Sequence, residues 1–100
     1  MKTPYYAVIF TSLLTSETKG YTEMAEAMEA LAKKQAGFLG VESARQEVGI
    51  TVSYWESLEA IQNWKANLDH IVVQKLGKEK WYKSYKVRIC RVEREYEFES

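Results

Sequence analysis

The chain has 100 residues, the length of one domain, and its 14 basic and 14 acidic residues give it no net charge. We expect a single domain spanning residues 1–100. Because a neutral chain creates no long-range field, we expect neither nucleic acid nor a membrane surface as a partner. Cys90 is the single cysteine, so no disulfide can form within the sequence, and a reducing, cytoplasmic location is expected.

The first predicted elements are a buried strand and an amphipathic helix. Tyr5–Leu14 is apolar at nearly every position, which is typical of a strand covered on both faces. We interpret it as a strand and not as a signal peptide, because only Lys2 precedes it as a basic residue and no small-residue cleavage site follows. From Tyr21, apolar residues recur at spacings of three and four, which predicts a helix that ends near Gly37.

Two predicted strands follow, and the short connection between them contains a glycine, which suggests a hairpin. The first covers Phe38–Gln46, and its alternation places Phe38 on the face opposite Val41 and Arg45. The second covers Ile50–Trp55 and alternates in the same way.

A second helix and a long last strand complete the pattern. Ser57 is suited to cap the start of this helix, and Trp64 lies on its apolar face. Ser84–Phe98 alternates throughout, which predicts the last strand. The element order predicts a ferredoxin-like α+β fold, βαββαβ, with a four-stranded antiparallel sheet and both helices on one of its faces.

Two features of this arrangement predict a homodimer. At about 3.3 Å per residue the last strand would extend roughly 50 Å, whereas a domain of this size has a radius of gyration near 13 Å. The first strand is also apolar on both faces, while the helices cover only one of them. We therefore predict a symmetric dimer that packs sheet against sheet and exchanges the C-terminal strands.

Five segments, in this order and spacing, resemble the antibiotic biosynthesis monooxygenase family of the dimeric α/β-barrel superfamily. They are GFLGVES (Gly37–Ser43), the run Ile50–Trp64, Asp69-His70 followed by Gln74, Gly77 with Trp81-Tyr82 and Tyr85, and VRICRVEREYEF (Val87–Phe98). The resemblance extends over nearly the whole chain. It implies a homodimeric barrel with a pocket between sheet and helices in each subunit.

The resemblance also implies a reaction class, the oxygenation of a polycyclic aromatic substrate without a metal or flavin cofactor. In such chemistry a phenolic ring loses a proton and becomes electron-rich enough to react with dioxygen. The protein must supply a general base, hydrogen-bond donors for the anion and an apolar enclosure. The sequence offers no ordinary zinc site, because one histidine and one cysteine cannot supply the usual ligand set.

His70 is the candidate general base, because an imidazole ordinarily titrates near pH 6.5. Its alternative role is to cap a helix or to pair across the dimer. Candidate substrate-binding residues are Trp64, Trp55, Arg88 and Gln74. Trp64 could equally belong to the core, and the core is the favoured place for Trp55. Arg88 needs an acceptor that is either an anionic ligand or a carboxylate such as Glu42.

Two polar residues and one aromatic group remain. Arg45 and Ser43 share a strand face, where they could line the pocket or lie at an exposed edge. Trp81, Tyr82 and Tyr85 are expected to pack against the sheet or a partner rather than to stack nucleic-acid bases, because the chain carries no net charge.

The leading hypothesis is a cofactor-independent monooxygenase-like protein that acts on, or binds, a small aromatic compound. The first alternative is a non-catalytic dimeric stress or signalling protein whose aromatic residues are all core and interface. The second alternative is haem degradation. Relatives with that activity are similar in having an asparagine on the first strand and a histidine ten residues after the helix tryptophan. Here Gln74 stands ten residues after Trp64, and the first strand lacks asparagine.

Overall fold

The order of strands and helices agrees with the prediction. The computed structural model describes residues 2–69 and 80–100. Within them lie β1 (Tyr5–Leu14), α1 (Tyr21–Lys33), β2 (Phe38–Arg45), β3 (Gly49–Trp55), α2 (Leu58–Asp69) and β4 (Tyr82–Val92). The four strands form one antiparallel sheet in the order β2-β3-β1-β4. The predicted ferredoxin-like α+β fold is confirmed.

The start of α2 agrees with its predicted cap, whereas α1 ends at Lys33, with Lys34 as its C-cap, before the predicted stop at Gly37. Gly20 precedes α1 in a left-handed conformation with φ 86°. The Ser57 hydroxyl accepts a hydrogen bond from the Ala60 N–H at 3.1 Å, which confirms the predicted cap of α2. Gly37 also has φ 86°, and a Cβ there would lie 2.6 Å from the Ala60 Cβ. Glycine is therefore needed at residue 37 both for the turn and for the close approach of α2.

Both described helices pack against one face of the sheet, which we call the helix-side face. In the core on this face, three helix residues surround one large ring of the sheet, Trp55. They are Ala32, Ala60 and Ile61, and Tyr6, Val8, Phe38 and Trp64 pack around this group. The opposite face, the open face, carries the alternate strand residues, among them Ile9, Ile50, Val52 and Arg88. No described helix covers it.

Phe38 lies on the helix-side face, so the predicted alternation is wrong at this residue. The pairing of β2 with β3 shifts register between Phe38 and Gly40, and Phe38 pairs with Trp55. Their rings meet edge to face at 5.4 Å. The irregularity turns Phe38 to the same face as Val41, because one extra residue on a strand reverses the side on which the preceding residues point.

The last strand is shorter than predicted and ends at Val92, not at Phe98. Val92 pairs with Tyr5, the first residue of β1, so no strand remains beside the residues that follow. The segment 93–100 instead returns to the sheet, where Glu95 accepts a hydrogen bond from the Tyr5 hydroxyl at 2.7 Å. The rings of Tyr96 and Phe98 are 85 % and 89 % exposed. The predicted exchange of C-terminal strands stays a prediction.

No helix in the described part of the chain has both the length and the apolar character that a membrane span requires.

Candidate aromatic binding site

Trp55 and Trp64 lie together at one end of the helix-side face. Trp55 is 0 % exposed, and its indole N–H donates to the Ser53 hydroxyl at 2.9 Å. Trp64 stacks on it with ring centroids 6.1 Å apart and remains half-buried. Trp55 therefore serves the core and offers no ring surface to a ligand, whereas Trp64 keeps part of its ring accessible.

Arg88 lies apart from both tryptophans. It pairs with Ile9 on the open face, and its side chain is exposed. Glu42 occupies the same row of residues at the other edge of the sheet, roughly 14 Å away across three strand spacings. Glu42 instead accepts a hydrogen bond from the Tyr54 hydroxyl at 2.8 Å. The structure thus does not pair Arg88 with Glu42 in one chain, nor does it place Arg88 beside Trp64.

His70 and Gln74 lie outside the described residues. The role of His70 as a general base, and that of Gln74 in substrate binding, therefore stay predictions. A search of the described residues for a group of three or more histidine, cysteine, aspartate or glutamate side chains that could hold a metal ion finds none.

The structure does bring aromatic residues together at the other end of the helix-side face. We call Phe10, Tyr21, Tyr82 and Tyr85 the ring cluster. Phe10 lies 5.5 Å from Tyr82 and 5.3 Å from Tyr85, and Tyr21 meets Tyr82 edge to face at 5.8 Å. These separations are within the favourable range for aromatic pairs. None of the four rings is fully buried.

Trp81 fixes the ring cluster to the loop between β1 and α1. It is buried, and its indole N–H donates to the Lys19 carbonyl at 2.9 Å. Thr15 holds the same turn twice, because its N–H donates to the Trp81 carbonyl and its hydroxyl to the Lys80 carbonyl, both at 2.8 Å. These bonds hold the start of β4 against Tyr21. The expectation that Trp81, Tyr82 and Tyr85 pack against the sheet is confirmed.

A polar row crosses the sheet beside the ring cluster. Arg45, Gly49, Ser12 and Tyr85 are successive partners across all four strands. Ser12 is 3 % exposed. Because Gly49 has no side chain, Arg45 reaches over it and its Nη2 donates to the Ser12 hydroxyl. A Cβ at Gly49 would overlap the Arg45 guanidinium.

Arg45 also contacts the ring cluster directly. Its Nη2 donates to the Tyr21 hydroxyl at 3.5 Å, and its Cζ lies 5.6 Å from the centroid of the Tyr21 ring. A third bond runs from Nη1 to the Ser12 carbonyl at 3.5 Å. Arg45 thus joins β2, β1 and the start of α1. Of the two predicted places for Arg45, a pocket and an exposed edge, this arrangement favours the first.

Burial raises the pKa of Tyr82, and its hydrogen bond with Tyr21 raises it further, while the charge of Arg45 opposes both effects. Tyr82 therefore keeps its phenolic proton at neutral pH. It can donate a hydrogen bond to a ligand, but it cannot serve as a general base.

Two open depressions border the helix-side face. One, of about 330 Å³, lies at the end of β1 and β4, where Ser12 and Tyr85 line it from the helix-side face and Thr11, Leu13, Ser84 and Lys86 from the open face. The other, of about 770 Å³, runs between α2 and β4, with Leu58, Ile61 and Ile89 in its walls. The first adjoins both the ring cluster and the polar row, and its volume suits a small aromatic compound.

No sequence pattern marks Ser12, Tyr21 or Gly49 as site residues. The register of the strand pairing could have identified them. Once the β2–β3 hairpin is aligned, Arg45 faces Gly49, and an arginine opposite a glycine can extend across the sheet.

Comparison with known proteins identifies a relative in sequence. No family model matches the chain. It is 48 % identical over 98 residues to the uncharacterised protein YqjZ of Bacillus subtilis strain 168, and the alignment covers 96 % of this chain and 86 % of that protein. The chain belongs to the YqjZ family. Members of the YqjZ family therefore share this fold, because such identity over nearly the whole length preserves the core.

Solved structures with lower identity match the YqjZ-family fold. PA3566 of Pseudomonas aeruginosa has a TM-score of 0.73 at 16 % identity, covering 96 % of this chain and 99 % of its own. SnoaB of Streptomyces nogalater, a cofactor-independent oxygenase, has a TM-score of 0.73 at 10 % identity, covering 92 % and 96 %. A Nitrosomonas europaea protein assigned provisionally to the antibiotic biosynthesis monooxygenases has 0.69 at 9 %, covering 90 % and 91 %. The resemblance predicted from sequence is confirmed for the fold.

Proposed function

We propose that this protein is a cofactor-independent, monooxygenase-like protein of the cytoplasm that binds a small aromatic compound against the ring cluster. The observation that carries the proposal is the incomplete burial of four aromatic rings, one of which, Tyr85, lines a depression of about 330 Å³. Trp55, at the centre of the core, is by contrast covered completely. The partly open faces of Tyr82 and Tyr85 can receive another aromatic ring in the geometries that these rings already use with Phe10.

The chemistry that we propose follows from which groups keep their protons. Tyr82 stays protonated at neutral pH and exchanges its hydrogen bond with Tyr21 for one donated to an oxygen of the bound ring. The base must be another group, and His70 is our candidate. It would take the phenolic proton of the substrate, and the resulting phenolate would supply the electrons that dioxygen accepts.

A second candidate function is a non-catalytic dimeric protein of the same fold. The observation that favours it is the contact of the rings with one another, since Tyr82 and Tyr85 lie 5.7 Å apart. If these contacts only stabilise the fold, no aromatic ligand will bind there.

A panel of phenolic polycycles, read out by thermal shift, tests binding. A ligand at 100 times its Kd adds about 2.7 kcal/mol of stability, which raises Tm by several degrees in a domain of this size. Tyr85→Ala should abolish the shift, whereas the matched variant Tyr96→Ala, in the exposed C-terminal segment, should retain it. If no compound raises the Tm of the wild type, or if Tyr85→Ala responds fully, the ring cluster is not the site.

Oxygen uptake then distinguishes an oxygenase from a binder. With a compound that binds, we expect consumption of dissolved oxygen by the wild type and none by His70→Ala, while the thermal shift of the variant persists. Binding without oxygen uptake by the wild type would favour the non-catalytic function. Uptake that survives in His70→Ala would exclude His70 as the base.

We further propose that the open face is the interface of a homodimer. Ile50 and Leu13 expose apolar side chains on this face, and both described helices lie on the other. The face is also self-complementary in charge, because Glu42 lies at its β2 edge and Arg88 at its β4 edge. A second copy related by a two-fold axis could cover the apolar residues and bring opposite charges together.

Sedimentation velocity tests the interface with two matched substitutions. Ile50→Glu places a carboxylate on the open face and should shift the protein to monomer. Leu58→Glu, at an exposed residue of α2, should leave the dimer intact. A monomeric wild type, or a dimer unaffected by Ile50→Glu, would contradict the proposed interface.

A further inference from the structure

The polar row gives the proposed site a positive charge that no described carboxylate neutralises. Arg45 donates to the Ser12 hydroxyl, the Ser12 carbonyl and the Tyr21 hydroxyl, all of which are neutral acceptors. Among the carboxylates of residues 2–68 and 80–100, none lies within ion-pair distance of Arg45. A guanidinium held by neutral dipoles keeps its full positive charge toward a ligand.

The same guanidinium has donors to spare. It carries five N–H groups, of which the three described bonds use three. The remaining two can reach an additional acceptor, because Arg45 is exposed. Arginine N–H groups bind carboxylates more strongly than they bind neutral oxygens.

The position of Arg45 relates this charge to the aromatic rings. Its guanidinium lies over the Tyr21 ring, whose centroid is 5.8 Å from that of Tyr82. The adjoining depression is lined by Ser12 and Tyr85 on the same face, and none of the described residues that line it is a carboxylate. The guanidinium and the partly open rings therefore lie side by side on the helix-side face.

We infer that Arg45 binds the carboxylate of the ligand, and that the ligand is an aromatic carboxylate whose ring lies against the ring cluster. This inference rests on the proposed function, because it needs the ring cluster to be the aromatic site. It assigns Arg45 as the residue that selects charged over neutral aromatic compounds. It assigns Gly49 as a positioning residue, because only glycine leaves room for the guanidinium to reach Ser12.

Two probes of equal ring size, naphthoate and naphthol, test the charge selection by calorimetry at pH 7. We expect the wild type to bind naphthoate about tenfold more tightly than naphthol, since a charge-assisted hydrogen bond adds roughly that factor. Added salt should weaken the binding of naphthoate and leave that of naphthol unchanged.

Arg45→Gln keeps the length of the side chain and a donor but removes the charge. This variant should bind naphthoate and naphthol with about equal affinity, with naphthol binding retained. Gly49→Ala should have the same effect although the charge is still present, because the guanidinium is displaced. Arg45→Lys should retain part of the preference. Circular dichroism and Tm of each variant report whether it is folded.

The outcomes separate the two proposals. If Arg45→Gln weakens both probes equally, or if the wild type does not prefer naphthoate, Arg45 is structural and the inference is wrong while the ring cluster remains the site. If neither probe binds the wild type, both the ring-cluster site and the inference are wrong.

Discussion

The two ends of the helix-side face are built from the same strands but differ in packing. At one end, Gly37 and Ala60 let α2 approach closely, and Trp55 is covered on all sides. At the other end, the large ring of Tyr21 begins α1, and a charged arginine lies between helix and sheet. Small residues thus draw a helix onto the sheet, whereas large and charged ones hold it away and leave rings partly open.

The largest difference between the ends should appear in the effect of deleting a ring. Trp55→Ala removes a fully buried side chain and should lower the free energy of unfolding by about 3–5 kcal/mol. Tyr85→Ala, at the partly open end, should cost less than half as much. Urea denaturation measures both. Equal losses at the two residues would mean that the ring cluster is packed as a core.

A second comparison uses two glycines with the same φ of 86°. An added Cβ meets the Ala60 Cβ at 2.6 Å when placed on Gly37, but on Gly20 it meets only the Trp81 Cζ2 at an ordinary 3.5 Å. Gly20→Ala should cost about 1 kcal/mol of backbone strain. Gly37→Ala should cost roughly 2–4 kcal/mol, because overpacking adds to the strain. The same denaturation experiment decides, and a Gly20→Ala loss as large as that of Gly37→Ala would contradict the close approach of α2.

The smallest expected effect concerns alkaline pH and the open face. The hydrogen bond from Tyr5 to Glu95 raises the pKa of Tyr5 to about 12, and the bond from Tyr54 to Glu42 raises the pKa of Tyr54. An unfolded tyrosine ionises near pH 10, so between about pH 10 and 12 the folded chain holds more protons than the unfolded one. The stabilisation is complete below pH 10 and is lost as the pH rises through that range.

Absorbance at the phenolate band follows this titration in the folded and the urea-unfolded chain. We expect Tyr5, Tyr54 and Tyr82 of the folded chain to ionise later than an unfolded tyrosine, and Tyr5→Phe to reduce this late signal by one tyrosine. Tyr96→Phe, in the exposed C-terminal segment, should leave the late signal at its full size. A late signal of unchanged size in Tyr5→Phe would show that the bond from Tyr5 to Glu95 does not form in solution.

Most of the fold could be predicted from sequence because alternation and helical spacing are local signals. Tyr5–Leu14 matches β1 at both ends, and Ser57 caps α2 as its residue type indicates. Phe38 was assigned to the wrong face because a single irregular pairing reverses the alternation, and no local pattern announces it. The last strand was extended too far because alternation persists to Phe98 although β1 offers no partner beyond Tyr5.

The site was harder to predict, because its residues meet through register and not through a motif. The sequence grouped Trp81, Tyr82 and Tyr85 correctly, since they are neighbours in the chain. Ser12 and Gly49 carry no chemical signature of their own. They matter only because pairing places them in one row with Arg45, and that row depends on contacts between residues far apart in sequence.

The central claim is that the open end of the helix-side face receives a ligand while the packed end does not. An amide-resolved NMR titration of the labelled protein with naphthoate tests it most directly. We predict progressive shifts of the Ser12, Gly49 and Tyr82 amides, with the indole N–H of Trp55 unmoved. Shifts centred on the Trp55 indole, with the Ser12 and Gly49 amides unchanged, would contradict the claim.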